Sequence, residues 1–122
     1  MKAEELMIGD WVRLKLTQNN TTVTGINGNS IDTKAVHPLR YDEIEPISLT
    51  PEILEKNGFE KVQNLLVLQW ENGVYPSMIF VEYNPENYCL FINDMMFPKS
   101  VRFLHELHHI LMDCGIEKEI TL

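Results

Sequence analysis

The segment between Pro98 and Gly115 is the longest run of helical periodicity in this chain, and it limits what the chain can fold into. At about 100° per residue, its apolar side chains fall on one broad arc of a helix. That arc consists of Phe103, Leu104, Leu107, Ile110, Leu111 and Cys114. A helix with a single apolar face needs another layer to cover it. Because the rest of the chain is rich in short strand patterns, we expect that layer to be a β-sheet.

The end of this helix is predicted at Gly115, because glycine adopts the left-handed conformation that closes many helices. Ile116 follows this glycine, and Leu111 lies where the apolar contact of a Schellman motif needs it. The sequence therefore predicts a positive φ at Gly115.

Within the helix, residues 105–109 read His-Glu-Leu-His-His and fit the pattern H-E-x-x-H. In that pattern the two histidines lie one helical turn apart and bind zinc, while the glutamate acts as general base. The motif therefore defines one enzyme hypothesis, a zinc-dependent hydrolase with His105, Glu106 and His109 as its catalytic residues.

The helix pattern argues against that enzyme hypothesis. The three motif residues share a face with Arg102 and Asp113, opposite the leucine arc, so we expect them to be largely exposed to solvent. No third ligand follows at the metzincin spacing, where Met112 occupies the position of the required glycine. We therefore predict no catalytic residue, no bound metal and no cofactor. His108, on the flank of the arc, is expected to be a half-buried packing residue.

The first half of the chain predicts several short strands. Residues 10–17 alternate between apolar and polar side chains, and residues 21–26 and 30–33 flank Asn27-Gly28, a strong hairpin signal. Residues 36–41 could form a further short strand. The apolar side of the first strand consists of Val12, Leu14 and Leu16.

A short helix is predicted between the two halves. Thr50 is a suitable N-cap and Pro51 suits the first helical position. Gly58 closes the helix, with Phe59 and Leu54 in a Schellman relation, so Gly58 is also expected to have a positive φ.

The second half predicts an antiparallel meander. Strand patterns cover residues 62–71, 74–83 and 88–92, and Asn72-Gly73 is a second hairpin signal. A final alternation over residues 116–122 predicts a short strand after the helix. The apolar run Met95-Met96-Phe97 is interpreted as core packing rather than as a partner site.

These elements define an α+β fold in three parts. Residues 1–46 form a small curled β-sheet or SH3-like barrel, and residues 47–60 form a linker helix. Residues 61–122 form the antiparallel meander, with one long helix packed on it and a short C-terminal strand. The two halves could share one core.

Composition limits the classes of partner. The formal net charge of −8 disfavours binding to nucleic acid or to anionic membranes, because both require a basic surface. No apolar run approaches the roughly 18 residues of a membrane helix, and residues 1–5 do not resemble a secretory leader. Cys89 and Cys114 are interpreted as free buried thiols in a reducing compartment, so the expected location is cytoplasmic.

Three segments resemble a known group of sequences. They are Glu5-Leu6-Met7-Ile8-Gly9-Asp10-Trp11-Val12, the connector at residues 45–59, and residues 104–120. Together they cover roughly half of the chain, and residues 62–97 lie outside the resemblance. The segments are similar to small uncharacterised proteins of Bacteroides-like gut bacteria and their phages or mobile elements. The resemblance implies a common scaffold and such a source, but no activity and no catalytic residues.

The functional hypothesis from the sequence is a non-catalytic interaction or scaffold protein with an unknown protein partner. The zinc-dependent hydrolase is the first alternative. The second alternative is a nucleic-acid-binding β-barrel module, which the net charge disfavours.

Overall fold

The computed structural model describes residues 1–2, 5–63, 65–68, 77–84, 87–93, 95–116 and 119–122. These residues form two compact units. The first unit comprises Met1–Ile47 and Phe103–His109, and the second comprises Ser48–Arg102 and Ile110–Leu122. The predicted α+β class is confirmed, with a curled half-barrel sheet, a second antiparallel sheet and one main helix near the C-terminus.

The sheet of the first unit has the strand order β3-β2-β1-β4, and every neighbouring pair is antiparallel. Its strands are β1 (Trp11–Leu14), β2 (Asn20–Ile26), β3 (Ile31–Thr33) and β4 (Ile44–Glu45). The hairpin predicted at Asn27-Gly28 joins β2 to β3, and the Asn27 amide donates to the Ser30 carbonyl at 2.9 Å. The core of this unit consists of Leu6, Val12, Leu14, Val23, Ile31, Leu39 and Ile44.

Two expectations for this sheet were wrong. Leu16 was expected on the same side of the first strand as Val12 and Leu14, but those two are buried and Leu16 is 96% exposed. The reason is that β1 ends at Leu14 and the chain then turns, with Gln18 at a φ of 61°. Residues 36–41 do not form a full strand, since only Leu39 bridges to Ile31 before the 3₁₀ helix Tyr41–Glu43 begins.

The short linker helix is α1 (Pro51–Lys56), and its predicted ends are confirmed. The Thr50 hydroxyl accepts a hydrogen bond from the Ile53 amide at 3.2 Å, as an N-cap does. Gly58 has a φ of 94°, and the Phe59 amide donates to the Leu54 carbonyl at 3.0 Å. These contacts complete the Schellman motif.

The second unit contains an antiparallel meander with the strand order β5-β6-β7-β8-β9. The strands are β5 (Glu60–Val62), β6 (Leu65–Leu68), β7 (Met78–Asn84), β8 (Asn87–Ile92) and β9 (Met95–Met96). The single strand predicted over residues 62–71 is replaced by β5 and β6, which pair after a reversal at Gln63, where φ is 57°. The predicted turn at Asn72-Gly73 lies outside the described residues.

The apolar residues at the edge of this sheet were misassigned. Met95 and Met96 were expected in the core but are 75% and 66% exposed, because they form the two-residue edge strand β9.

The two cysteines, Cys89 and Cys114, are free, as predicted, but each is half-buried rather than buried. Burial is the main cause that raises the pKa of the Cys114 thiol, and the charge of Asp113 adds to it.

The main helix is α2 (Leu104–Asp113), which begins later than the periodicity indicated. Its predicted end is confirmed, because Gly115 has a φ of 74° and the Ile116 amide donates to the Leu111 carbonyl at 2.8 Å. The burial predicted for its leucines is also confirmed. Leu104, Leu107 and Leu111 are each no more than 1% exposed.

The final strand was predicted over residues 116–122, and the described part of that segment, residue 116 and residues 119–122, forms no strand. A side-chain amide holds this segment instead. Asn57 Nδ2 donates to the Thr121 carbonyl at 2.9 Å, and the Thr121 amide donates to Asn57 Oδ1 at 2.7 Å. These two bonds satisfy backbone groups that a sheet neighbour would otherwise satisfy.

Among the residues that the structure describes, no helix is both long enough and apolar enough to cross a membrane.

Replacing Leu107 with Ala should reduce the free energy of unfolding by about 2–5 kcal/mol, because the substitution leaves a cavity at a fully buried position. Urea denaturation measures the change. Met112→Ala, at a position 46% exposed, is the matched control and should change stability by less than about 0.5 kcal/mol. Equal effects of the two substitutions would contradict the buried face assigned to α2.

Replacing Gly115 with Ala should reduce the free energy of unfolding by about 1–2 kcal/mol, because an L-residue is strained at its positive φ. Apart from the chain neighbours of Gly115, no described residue has an atom within 4 Å of an added Cβ there, so backbone strain is the expected cause. Gly28→Ala is the control, since Gly28 has equal space and no positive φ. Thermal melts in which Gly28→Ala loses as much stability as Gly115→Ala would reject this account.

Candidate metal centre

A tight turn before β1 places one carboxylate inside the first unit. Gly9, with a φ of 94°, occupies the third position of the turn from Met7 to Asp10, where positive φ is typical of a type II turn. The Asp10 amide donates to the Met7 carbonyl at 3.1 Å, and the Met7 amide donates to Asp10 Oδ2 at 2.7 Å. The Asp10 residue is fully buried. The turn therefore holds a carboxylate in a place where it needs strong hydrogen-bond partners.

The start of α2 places three histidines in the same unit. The Phe103 amide donates to Glu106 Oε1 at 2.9 Å, which is the reciprocal half of a capping box. The Leu104 amide donates to the Ile47 carbonyl at 2.8 Å and ties the first turn of the helix to the segment after β4. His105 lies in this first turn, and His108 and His109 follow one turn later.

Asp10 accepts hydrogen bonds from two of these histidines. His108 Nδ1 lies 2.6 Å from Asp10 Oδ1, and His109 Nε2 lies 2.7 Å from Asp10 Oδ2. The side chains of His108 and His109 are 15% and 26% exposed. One ligand atom from each of the three residues lies within 4.8 Å of the others, which brings together two imidazoles and a carboxylate.

The charge state of Asp10 follows from these contacts. Burial, the largest influence, raises the pKa of Asp10, but hydrogen bonds from His108, His109 and the Met7 amide together outweigh it. The pKa therefore lies below the ordinary value of 3.8. Asp10 is thus an anion over the whole neutral range and a suitable ligand for a cation.

His105 lies beside this cluster and is only 5% exposed. Its ring stacks on Phe103, with centroids 5.8 Å apart, and meets the edge of His109 at 5.7 Å. Its Nδ1 is buried and has no hydrogen-bond partner among the described residues. Burial is the main cause that lowers the pKa of His105, so the neutral ring is favoured.

The structure corrects the predicted exposure of the motif residues. His105 was expected at the surface but is buried, and Glu106 and His109 are half-buried. The reason is that the turn ending at Asp10 covers this side of α2. An added Cβ on Gly9 would lie 3.4 Å from His108 Cε1.

The histidines that share a carboxylate are also not the pair that the motif singled out. They are His108 and His109, whereas the motif pairs His105 with His109. The prediction that His108 is half-buried is confirmed. Sequence reasoning missed Asp10, which precedes His108 by 98 residues at no recognisable spacing. The adjacent histidines His108 and His109 were a weak signal, because the sequence alone does not show which residue they contact.

An apolar groove of about 580 Å³ forms a second feature of the first unit. Its apolar lining includes Leu14, Val36 and Leu39, together with the fully exposed Leu16. Its charged lining residues are Lys15, Asp42 and Glu43, and both carboxylates form ion pairs with Arg40. The groove has the size of a ligand or side-chain pocket.

Comparisons of the chain with family models, with curated proteins and with solved structures found no match.

Replacing Asp10 with Asn should reduce the free energy of unfolding by about 1–3 kcal/mol at neutral pH, because buried hydrogen-bond partners are left poorly satisfied. The pKa of Asp10 is lower in the folded protein, so its contribution is complete above the ordinary value of 3.8 and is lost as pH falls through the folded value. Urea melts at neutral pH should therefore show the full difference between wild type and variant.

Asp42→Asn is the control for this prediction, because the Asp42 side chain is 72% exposed. Its effect should stay within about 0.5 kcal/mol. If Asp10→Asn is equally mild, the buried carboxylate contributes little to stability.

Proposed function

We propose that this chain is a non-catalytic scaffold or interaction protein whose first unit binds one divalent transition ion through Asp10, His108 and His109. Zinc is the first candidate. The observation that carries the proposal is the convergence of the three ligand atoms within 4.8 Å, although Asp10 and the histidines are 98 and 99 residues apart.

The donor atoms indicate the class of metal. Two imidazole nitrogens and one carboxylate oxygen form a set that zinc and neighbouring transition ions accept readily. Calcium and magnesium prefer sites made of oxygen atoms alone. The partial exposure of His109 leaves a route for an ion to reach the fully buried Asp10 carboxylate.

The present distances are those of hydrogen bonds, so binding requires a small change. Atoms bound to one tetrahedral zinc ion at about 2.0 Å stand roughly 3.3 Å apart. The two oxygen–nitrogen pairs here are 2.6 and 2.7 Å apart and involve different oxygens of Asp10, so the pair whose oxygen binds the ion must open by about 0.6 Å. The hydrogens between them must also leave. Metal and proton therefore compete, and the affinity should fall as pH decreases.

A bound ion would strengthen a link that the metal-free protein already has. The turn at Asp10 and the first half of α2 belong to the same unit and are now joined by two hydrogen bonds. An ion bound to the folded state alone adds about 2.7 kcal/mol of stability at a free concentration 100 times its dissociation constant. This is a structural role and requires no reaction.

Glu106 supports a non-catalytic role. A hydrolase of the H-E-x-x-H type needs this glutamate as a general base beside a metal-bound water. In this chain Glu106 Oε1 accepts the Phe103 amide at the start of α2, at 2.9 Å. The Glu106 carboxylate therefore stabilises the N-terminus of α2 by accepting a backbone hydrogen bond.

The interaction role is supported by the apolar groove. Its exposed leucine and valine side chains, Leu16 and Val36, suit a protein partner that presents an apolar side chain. The net charge of −8 disfavours nucleic acid as that partner.

The test of metal binding uses untagged protein, since a histidine tag would itself bind zinc. After dialysis against zinc and then against metal-free buffer, we expect one zinc per chain by elemental analysis and a higher Tm than in chelator. His109→Ala should weaken zinc binding by more than about 100-fold in calorimetric titration, beyond the effect expected for a merely supporting group.

The control is His37→Ala, which removes an exposed histidine outside the cluster and should leave the affinity unchanged. Wild-type protein that retains no zinc, with a Tm unaffected by zinc or chelator, would reject the metal proposal. The cluster would then only join the turn at Asp10 to α2 through hydrogen bonds. Equal loss of affinity in the His37 variant would show that zinc binds elsewhere.

A further inference from the structure

We infer that His105 is the fourth ligand of this site, so that a bound ion is held by one carboxylate and three imidazoles. The inference rests on the proposed metal binding and determines the kind of site. A zinc ion with four protein ligands is structural, whereas a catalytic zinc keeps one position open for water or substrate.

The helix provides the spacing that a shared site needs. His105, His108 and His109 occupy positions i, i+3 and i+4 of α2, which are neighbours on the helix surface. All three belong to the first unit, as does Asp10. Only the ligand atoms of Asp10, His108 and His109 lie within 4.8 Å of one another at present, so the His105 side chain must turn toward the ion for one of its nitrogens to bind.

The unsatisfied nitrogen of His105 is the independent observation. Its Nδ1 is buried and has no hydrogen-bond partner among the described residues, in a side chain that is 5% exposed. Buried polar atoms are nearly always paired, and each one left unpaired destabilises the fold. In a neutral imidazole, one ring nitrogen carries a free lone pair. A metal ion uses such a lone pair directly.

The ring separations agree with a common ion. Two imidazoles bound to one tetrahedral zinc, with the ring centre about 3.2 Å from the metal, have centroids roughly 5.2 Å apart. The centroids of His105 and His109 are 5.7 Å apart, and those of His108 and His109 are 6.1 Å apart. Each centroid separation has to decrease by less than about 1 Å for both rings to bind one zinc ion. This change is similar in size to the increase in oxygen–nitrogen distance required at Asp10.

The experiment uses Co²⁺ as the probe, because its visible absorption is strong in four-coordinate sites and weak when water completes five or six positions. The key variant is His105→Phe, which keeps an aromatic ring to stack on Phe103 and removes both nitrogens. His37→Phe is the matched control at an exposed position.

We expect wild-type protein and the His37 variant to show the intense four-coordinate spectrum. The His105 variant should bind Co²⁺ about 10–100-fold more weakly and give the weaker spectrum of a site completed by water. Extended X-ray absorption of the wild-type zinc protein should show three imidazole ligands, and this measurement does not depend on how any variant folds.

The outcomes separate the two proposals. Wild-type protein that binds neither Co²⁺ nor zinc overturns the proposed function and this inference together. Wild-type binding with two imidazoles, or an unchanged affinity and spectrum in His105→Phe, overturns the fourth ligand alone. His105 would then be a packing residue against Phe103, and the three-ligand site would remain.

Discussion

The first unit depends on one buried anion. The Asp10 carboxylate is removed from water and accepts hydrogen bonds from His108, His109 and the Met7 amide. A carboxylate left without these partners would be costly to bury, so the turn before β1 and the first half of α2 stabilise each other. The curled sheet supplies the apolar core of the unit, and this polar contact holds the turn against the histidines of α2.

The parts of the fold that could be predicted are those whose signals are local. Asn27-Gly28 specified a hairpin, Thr50 and Pro51 specified a helix start, and Gly58 and Gly115 specified helix ends. Each of these signals acts through backbone geometry over a few residues, so it can be recognised without knowledge of the tertiary structure. The leucine arc was equally local, because helical periodicity alone selects its buried face.

The failures have a common cause in contacts that periodicity does not encode. A helical projection divides α2 into an apolar and a polar side, but it cannot show that a polar side will meet a buried carboxylate. His105 was therefore expected in solvent, and Asp10 was not considered as its neighbour. The predictions for Leu16 and Met95 were wrong in the opposite sense, because these two side chains are exposed. A strand pattern does not reveal where pairing stops or which strand forms the edge of a sheet.

The composition of the first unit has a consequence for the order of folding. Its sheet is made from residues 11–45, yet the unit includes Phe103–His109, which the ribosome adds only after more than fifty further residues. A nascent chain can therefore pair β1 with β2 while Asp10 still lacks both histidines. The loop that must close between them is long, but its entropic cost grows slowly with length. Completion of the first unit therefore has to wait for the synthesis of α2, after the strands of the unit have already emerged.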